Sequence, residues 1–176
     1  QQVVDKYLVQ DRSTNVVFET PQFMYMLIAM TLFQNYDKEG RLDYVKKYYD
    51  AISTFKISIP TPIMAGVRTP LRQFASCVLV DSDDTLDSLF SSDMAIGRYV
   101  AQRAGIGINA GRIRGLGSKI RGGEVQHTGV IPFLKKFEAT VRSCTQNGVR
   151  GGSATVHFPV WHQEIEDIIV LKNNKG

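Results

Sequence analysis

The sequence predicts an α/β protein in which a helical N-terminal segment leads into the first βα units of a parallel sheet. Two observations predict this class. Between residues 20 and 53, apolar side chains recur at the three- and four-residue spacing of helices. From residue 56 onward, short β-branched runs alternate with helical patterns, which is typical of βα units in an open sheet or a closed barrel.

The N-terminal segment begins with residues 3–19, whose irregular alternation predicts a short hairpin or an extended lead-in. A first helix is expected from Pro21 to about Tyr36, capped by Thr20. Because apolar residues nearly encircle this helix, we expect it to be buried. A second, amphipathic helix is expected over residues 41–52.

The next part of the chain alternates strands and helices. Residues 56–64 and 73–81 predict strands, and the second run is so continuously apolar that burial on both faces is expected. Asp84 is expected to cap the following helix, and Gly105 to end it in a left-handed conformation. A short strand is expected over residues 106–110.

Two loops flank the helix that comes next. The glycine–arginine loop, residues 111–123, precedes a helix predicted over about residues 129–144, and the second loop, residues 145–152, follows it. A strand over residues 153–160 and a final helix over about residues 161–172 complete the pattern.

Composition places the chain among globular proteins. Of its 176 residues, 43% are apolar and 22% charged, which argues against a disordered or fibrous chain. The longest apolar run, residues 23–33, is shorter than the ~20 residues of a membrane helix, so no transmembrane segment is expected. With two cysteines and no signal peptide, a cytoplasmic location is expected. Because the chain opens on Gln1 and stops directly after a helical pattern, we expect a fragment.

Positive charge and glycine are concentrated in the same window. The net charge is +4, but residues 94–163 contain ten cations and two acids, hence +8, together with 12 of the 15 glycines. The cations of the glycine–arginine loop are Arg112, Arg114, Lys119 and Arg121. Arginine forks suit phosphate oxygens, and glycines let backbone N–H groups approach an anion. The loop is an anion-binding candidate, and a merely solvated basic loop is the alternative.

Other motifs are less informative. The glycines of residues 105–111 lack the spacing of a dinucleotide fingerprint. Cys77 lies within a predicted strand, where cysteine is more often an inert apolar residue than a reactive thiol. Cys144 and the three histidines do not have metal-ligand spacing. His162, beside Trp161, is interpreted as a helix-start or packing residue.

Seven short runs carry a resemblance to a known family. They are PTPIM at 60–64, GVRTP at 66–70, RQFASC at 72–77, QRAGIGINAGR at 102–112, IRGGE at 120–124, GVRGG at 148–152 and LKNN at 171–174. In order and spacing, over essentially the whole chain, they resemble the large catalytic (alpha) subunit of aerobic, class I ribonucleoside-diphosphate reductase.

The resemblance implies a fold and a domain organisation. The catalytic domain of that family is a ten-stranded α/β barrel. Residues 1–55 would be the end of its helical N-terminal region, and residues 56–176 the first part of the barrel with its effector-binding loops. The radical-bearing cysteine and the second redox cysteine are expected beyond Gly176, and an ATP-binding regulatory region before Gln1.

The resemblance also implies an oxidoreductase that converts ribonucleoside diphosphates to deoxyribonucleoside diphosphates for DNA replication, under allosteric control. Cys77 matches one of two redox-active cysteines and would form a disulfide with a cysteine further along the chain, which is not Cys144. The implied partners are a metal-containing small subunit that supplies the radical, thioredoxin or glutaredoxin as reductant, and a second large subunit. Neither nucleic acid nor a membrane is expected as a partner.

By the same resemblance, individual residues are assigned to sites. Those expected around the substrate, where a hydroxyl and free backbone amides suit phosphate, are Thr61, Ser76, Ala104 and Gly105. Those expected to bind the effectors ATP, dATP, dTTP or dGTP at a dimer interface are Asp84, Thr85, Leu86, Arg114 and Arg121. In the second loop, Gln146 and Arg150 match the segment that relays effector identity to substrate choice. No cofactor or metal is expected to bind this segment directly.

Two other functions are considered. A non-catalytic nucleotide-binding module, regulatory or encoded by a split gene, would keep Asp84, Arg114 and Arg121 but would need no Cys77. General nucleic-acid binding through the basic loops is disfavoured, because residues 105–123 contain no aromatic side chain on which bases could stack.

Overall fold

The computed structural model describes residues 1–145 and 151–171. The chain divides into two compact units, Gln1–Ser76 (unit 1) and Cys77–Gly176 (unit 2), and each has its own hydrophobic core. These two units are defined by compactness. The boundary between functional domains, which the resemblance places after residue 55, stays a prediction. Among the described residues, no helix has both the length and the apolar character of a membrane-spanning segment.

Unit 1 is built from helices and one short hairpin. Its elements are α1 (Gln2–Lys6), β1 (Gln10–Asp11), β2 (Val16–Val17), α2 (Pro21–Phe33), α3 (Arg41–Ser53) and α4 (Thr61–Gly66). The hairpin form of the N-terminal region is confirmed, since β1 and β2 pair antiparallel and Asn15 between them has a left-handed φ of 58°. The short helix α1 is not predicted from the sequence. α3 is amphipathic as predicted, with Val45 and Ile52 buried.

The start of α2 agrees with the prediction, but its burial does not. The Thr20 hydroxyl accepts a hydrogen bond from the Phe23 N–H (3.3 Å), and Pro21 occupies the first helical position. Met24 and Ile28 are fully buried, whereas Phe23 is exposed. The expectation of burial all round is therefore wrong for the described chain, because only one face of α2 packs within unit 1.

The segment after α3 differs from the predicted strand over residues 56–64. It contains α4 instead. Pro60 precedes this helix in an extended conformation, and Pro62 lies in its first turn, where a missing N–H leaves no hydrogen bond unmade. The two prolines thus start a helix in a run whose β-branched residues favour a strand.

A buried ion pair links the segments of unit 1. Nε of Arg68 donates to both carboxylate oxygens of Glu19 (3.1 and 2.9 Å), and both side chains are almost fully buried. The other guanidinium nitrogens donate to the carbonyls of Met64 (2.6 Å) and Tyr7 (3.0 Å). The Val9 N–H donates to the same carboxylate (2.7 Å). We name this set the Arg68 clamp; it ties the residues after α1 and before α2 to the end of α4.

Unit 2 is a parallel sheet with helices in its crossovers. Its elements are β3 (Cys77–Asp81), α5 (Leu86–Ala101), β4 (Gly105–Asn109), β5 (Lys119–Ile120), β6 (Val125–Gln126), α6 (Ile131–Cys144), β7 (Ala154–His157) and α7 (Ile165–Val170). In the described part of the chain, β3, β4 and β7 form one parallel sheet with β4 in the centre, so the predicted βα units are confirmed. β5 and β6 form a small antiparallel hairpin at the end of the glycine–arginine loop.

β3 is shorter and less buried than the sequence predicts. It covers Cys77–Asp81 rather than residues 73–81, and its residues alternate between exposed and half-buried. Leu79 is 84% exposed. Burial on both faces is therefore wrong for β3 in the described chain. β4 is the more buried strand on one face, where Ile106 and Ile108 lie in the core, while Gly105 and Gly107 on its other face are half-buried.

Both ends of α5 are formed by residues other than those predicted. Thr85, not Asp84, is the N-cap, and its hydroxyl accepts the N–H of Ser88 (3.1 Å). At the other end, Arg103 takes the left-handed conformation, with a φ of 69°, while Gly105 begins β4. The helix ends two residues before Arg103, so a glycine at position 105 lies too far along the chain to cap it.

α5 and α6 pack against each other beside the sheet. Ile96 of α5 and Phe137 of α6 are buried in the shared core. Asp93 adds a polar link, because its carboxylate accepts hydrogen bonds from the Lys136 ammonium and the Thr140 hydroxyl, both at 2.5 Å. These contacts fix the two helices that precede and follow β4 and the glycine–arginine loop.

Candidate functional site

The candidate site lies at the carboxyl ends of β3 and β4, the edge at which parallel sheets place their ligand sites. β3 ends at Asp81 and β4 at Asn109, and the Asn109 side-chain amide donates to the Asp81 carboxylate (Nδ2 to Oδ1, 2.8 Å). Residues 82–85 lead from β3 into α5, and the glycine–arginine loop follows β4. The predicted anion-binding residues therefore lie on adjacent loops.

Asp84 and Arg114 bind each other directly across these two loops. The Arg114 backbone N–H donates to Oδ1 of Asp84 (2.8 Å), and Arg114 Nε donates to Oδ2 (2.5 Å). Nη1 of Arg114 donates to the Lys119 carbonyl (3.1 Å). Of the two side chains, 38% of Arg114 and 25% of Asp84 remain exposed. The guanidinium is thus held in place and is still accessible to a phosphate group.

The other cations of the glycine–arginine loop are more exposed. Arg112 pairs with Asp81 (3.1 Å) at the end of β3. Lys119 and Arg121 belong to the β5–β6 hairpin, and Arg121 has a left-handed φ of 50°. Because carboxylates orient two of the arginines, the loop has a defined shape, which disfavours the alternative of a merely solvated basic loop.

The remaining predicted effector residues lie at the start of α5. Thr85 uses its hydroxyl as the N-cap, and Leu86, the first residue of the helix, is exposed. Both follow Asp84 directly in the chain. The N-terminus of a helix of 16 residues carries a partial positive charge, which favours an anion nearby.

Close packing requires two glycines of the loop. An added Cβ on Gly111 would lie 2.5 Å from Cδ of Pro159, and one on Gly115 would lie 2.7 Å from Oε1 of Gln163. Gly117 is different: its φ is +78° and an added Cβ would have no atom within 4 Å. Close approach therefore explains Gly111 and Gly115, and a left-handed turn explains Gly117.

Two residues after β7, His162 and Glu164, hold the glycine–arginine loop, a role that no sequence pattern predicts. His162 and Glu164 are buried although both are polar. Nε2 of His162 lies 2.8 Å from the Ile113 carbonyl, and Oε2 of Glu164 accepts the N–H groups of Leu116 and Val130, both at 2.9 Å. No local pattern reveals this role, because the partners are 34 to 49 residues away in the sequence.

Cys77 lies at the opposite end of the same strands. It is exposed, it opens β3, and the parallel register places it opposite Gly105, the first residue of β4. The strands span five residues, so about 13 Å separates this end from the end at Asp81 and Asn109. The structure thus brings Cys77 and one predicted substrate residue together and keeps both apart from the Asp84–Arg114 pair.

The other predicted substrate residues are divided between the units. Thr61 and Ser76 belong to unit 1 and Ala104 to unit 2. The Thr61 hydroxyl lies 3.4 Å from the Tyr7 hydroxyl. Ala104 is buried, and its N–H donates to the Tyr99 carbonyl (3.0 Å). The Ala104 amide therefore already has an acceptor, and the expectation that it is free to bind a phosphate is wrong.

Gln146 and Arg150 of the second loop lie outside the described residues. At the two ends of this loop, the Thr145 hydroxyl donates to the Val141 carbonyl (2.7 Å) and accepts the Gly152 N–H (3.1 Å), which closes the base of the loop. Within residues 1–145 and 151–171, no group of three or more His, Cys, Asp or Glu side chains is placed to hold a metal ion.

Two family models match the chain. Residues 1–72 match the all-alpha domain of ribonucleotide reductase, and residues 75–176 match its barrel domain. Because the second match alone covers more than half of the sequence, the chain belongs to the ribonucleotide reductase family. The resemblance seen in the short sequence motifs is confirmed.

Similar proteins are alpha subunits of ribonucleoside-diphosphate reductase. The chain is 62% identical, over all 176 residues, to ribonucleoside-diphosphate reductase 1 subunit alpha of Salmonella typhimurium and of Escherichia coli. It is 54% identical over 175 residues to the alpha subunit of Enterobacteria phage T4. Each match covers 23% of the relative, so the chain spans about a quarter of the length of these proteins.

Proposed function

We propose that the chain is part of a longer reductase subunit that converts ribonucleoside diphosphates to deoxyribonucleoside diphosphates and so supplies DNA precursors. The names of the relatives describe this activity, and 62% identity over the whole chain supports it. The activity belongs to the longer protein, since the matches cover 23% of each relative. Within that protein, residues 1–55 would end a helical region and residues 56–176 would begin a ten-stranded α/β barrel.

The observation that carries the proposal is the arrangement of two sites at opposite ends of β3 and β4. Cys77 and Gly105 lie at one end, and Asp84 bound to Arg114 follows the other. A reductase with allosteric control of specificity needs separate places for chemistry and for effector binding. β3 and β4, paired in parallel over five residues, connect the two places.

Cys77 is the proposed redox residue of this chain. A thiyl radical, formed through a metal-containing small subunit, would remove the 3′ hydrogen of the ribose and return it after the 2′ carbon has been reduced. Cys77 and a second cysteine of the longer protein, which is not Cys144, would then supply two electrons and two protons: the 2′ hydroxyl leaves as water and the two thiols become a disulfide. Thioredoxin or glutaredoxin would return the disulfide to thiols. The exposure of Cys77 supports this role.

Thr61, Ser76, Ala104 and Gly105 are proposed to surround the diphosphate and ribose of the substrate. Gly105, opposite Cys77, has no side chain that could block access to the thiol. Because the Ala104 N–H already binds a carbonyl, Ala104 would line the site without donating to phosphate.

The loops at the other end are proposed to bind the effectors ATP, dATP, dTTP and dGTP. Arg114 and Arg121 would neutralise the phosphates, and Asp84 would hold Arg114 in the orientation that the structure shows. Thr85 and Leu86 would border the nucleotide at the start of α5. Gln146 and Arg150, the proposed relay residues, would carry the identity of the base to the substrate. A coupling of this kind is typically worth about 1–3 kcal/mol.

A second large subunit is proposed to cover an exposed stripe of α5. Leu86, Phe90 and Met94 recur every four residues, each is more than half exposed, and the stripe begins two residues after Asp84. A partner copy over this stripe would bring the effector site to a dimer interface. The longer protein would also work with a metal-containing small subunit, and it would be located in the cytoplasm.

Cys77→Ser in the full-length subunit tests the chemistry. We expect multiple turnover to be lost, because serine cannot form the disulfide, while effector affinity stays within about twofold of the unaltered protein. Cys144→Ser is the matched control and should retain turnover.

Multiple turnover of Cys77→Ser with a dithiol reductant would contradict the redox assignment. Effector binding by an unaltered full-length protein without any turnover would favour the non-catalytic nucleotide-binding module instead.

A further inference from the structure

A short segment after β7 packs against the glycine–arginine loop through two buried residues, His162 and Glu164, although the proposed chemistry does not use it. This latch segment, residues 162–164, hydrogen-bonds to the loop at Ile113 and Leu116 and to the residue before α6, Val130. Arg114 lies between the two loop positions. The latch segment therefore holds the backbone on both sides of the residue to which effector phosphate is assigned.

The hydrogen bonds of His162 define its tautomer. The backbone N–H of Glu164 donates to Nδ1 (3.1 Å), so Nδ1 carries no proton. Nε2 then carries the proton and donates it to the Ile113 carbonyl (2.8 Å). The ring also contacts Phe158 edge to face, with 5.4 Å between ring centroids. A neutral, buried imidazole thus connects the backbone of the latch segment to that of the loop.

Glu164 receives two backbone N–H groups on a single carboxylate oxygen. Oε2 accepts from Leu116 and Val130, both at 2.9 Å. Gln163 reinforces the first contact, because its Nε2 donates to the Leu116 carbonyl (3.0 Å). An added Cβ on Gly129 would lie 2.5 Å from Oε1 of Glu164, so the glycine makes room for the carboxylate. The backbone thus provides both hydrogen-bond donors and space for the Glu164 carboxylate.

We propose that Glu164 is a positioning residue that sets the affinity of the glycine–arginine loop for its nucleotide effector. The proposal rests on the effector site proposed above. The Arg114 N–H is held by Asp84 and the Leu116 N–H by Glu164, so two carboxylates fix the backbone around the guanidinium. Glu164 is buried and acts through the loop. Without it, effector binding would have to order the loop as well, and that ordering lowers affinity.

The test compares Glu164→Ala with Glu164→Gln in the full-length subunit. Because both N–H groups converge on one oxygen, the amide oxygen of glutamine can replace it, whereas alanine leaves both groups without an acceptor. We expect Glu164→Ala to raise the half-saturating dTTP concentration at least about tenfold, with kcat at saturating dTTP within about twofold. Glu164→Gln should stay within about threefold of the unaltered protein.

Glu166→Ala is the matched control, because Glu166 is an exposed carboxylate two residues further on. It should leave the half-saturating dTTP concentration unchanged. An unchanged value for Glu164→Ala overturns the proposal, and so does an equal loss in the alanine and glutamine variants.

If Glu164→Ala does not fold, Glu164→Asp provides the measurement. The shorter side chain withdraws the acceptor from both N–H groups and should raise the half-saturating dTTP concentration several-fold; an unchanged value overturns the proposal. A full-length unaltered protein that does not respond to dTTP would instead contradict the effector site itself.

Discussion

Two arginine–carboxylate pairs of the molecule have the same chemistry but differ in exposure: one is buried and the other is partly exposed. In the Arg68 clamp of unit 1, the side chains of Arg68 and Glu19 are 4% and 6% exposed, and the arginine also binds two backbone carbonyls. In unit 2, Arg114 and Asp84 are 38% and 25% exposed. Burial commits the first arginine to the fold, whereas partial exposure leaves the second able to bind a ligand as well.

The physical cost of breaking each pair follows from its exposure. Removing one partner of a buried pair leaves a charge without compensation in a medium that solvates it poorly. Water replaces the lost partner of an exposed pair, so the effect on stability is small. The comparison therefore predicts that Arg68 substitutions act on folding and Arg114 substitutions on binding.

The largest expected effect is that of Arg68→Met. Glu19 would remain buried without its cation, and two carbonyls would lose their donor, so the free energy of unfolding should fall by about 3–5 kcal/mol. Urea denaturation of the full-length subunit measures it. Arg72→Met is the control, because Arg72 is exposed and donates to carbonyls of its own turn, those of Thr69 and Leu71.

Replacing the whole pair sharpens this prediction. Glu19→Leu combined with Arg68→Met removes both charges and should recover part of the lost stability. If Arg68→Met alone cost as little as Arg72→Met, the distinction between the buried and the exposed pair would be wrong.

An intermediate effect is expected for Arg114→Ala. Loss of a charge-assisted contact to phosphate should weaken effector binding by about 1.5–3 kcal/mol and blunt the switching of specificity, while the free energy of unfolding changes by less than about 1 kcal/mol. Calorimetric titration with dTTP measures the affinity. Arg121→Ala should act in the same direction.

Arg142→Ala is the matched control for this prediction. Arg142 is strongly exposed and pairs with Glu138 one helical turn away, so neither affinity nor stability should change. An unaltered dTTP affinity of Arg114→Ala would remove Arg114 from the effector site.

Features with nearby partners were predictable from the sequence. The Thr20 hydroxyl bonds to an N–H three residues on, and a local pattern contains both groups. The strand β4 and the amphipathic helix α3 were predictable as well, because the hydrophobic pattern that indicates each element lies within a few consecutive residues. The motifs of the family added the assignments of Cys77 and the loop arginines, which composition alone left open.

Some of the errors arose where distant partners decided the outcome. Asp84 and Thr85 are both good capping residues, but the Asp84 carboxylate binds Arg114, 30 residues away, and Thr85 caps instead. His162 and Glu164 contact residues 34 to 49 positions earlier. Patterns within a window of a few residues cannot contain such pairs.

The smallest expected effect concerns the backbone near Arg114. Gly117 has a φ of +78° with open space around it, so Gly117→Ala adds only the strain of a left-handed alanine, about 1 kcal/mol. If the loop shifts to relieve the strain, the half-saturating dTTP concentration should rise about fivefold, because 1.4 kcal/mol corresponds to about tenfold.

Gly40→Ala in unit 1 is the matched control for Gly117→Ala. Gly40 has a φ of +108°, also has nothing within 4 Å of an added Cβ, and precedes α3, so it should cost similar stability. It lies outside the proposed effector site and should not change dTTP affinity. Equal losses of affinity in the two variants would mean that overall stability limits binding, and not the geometry of the glycine–arginine loop. The contrast between Arg68, which acts on folding, and Arg114, which acts on binding, would then fail.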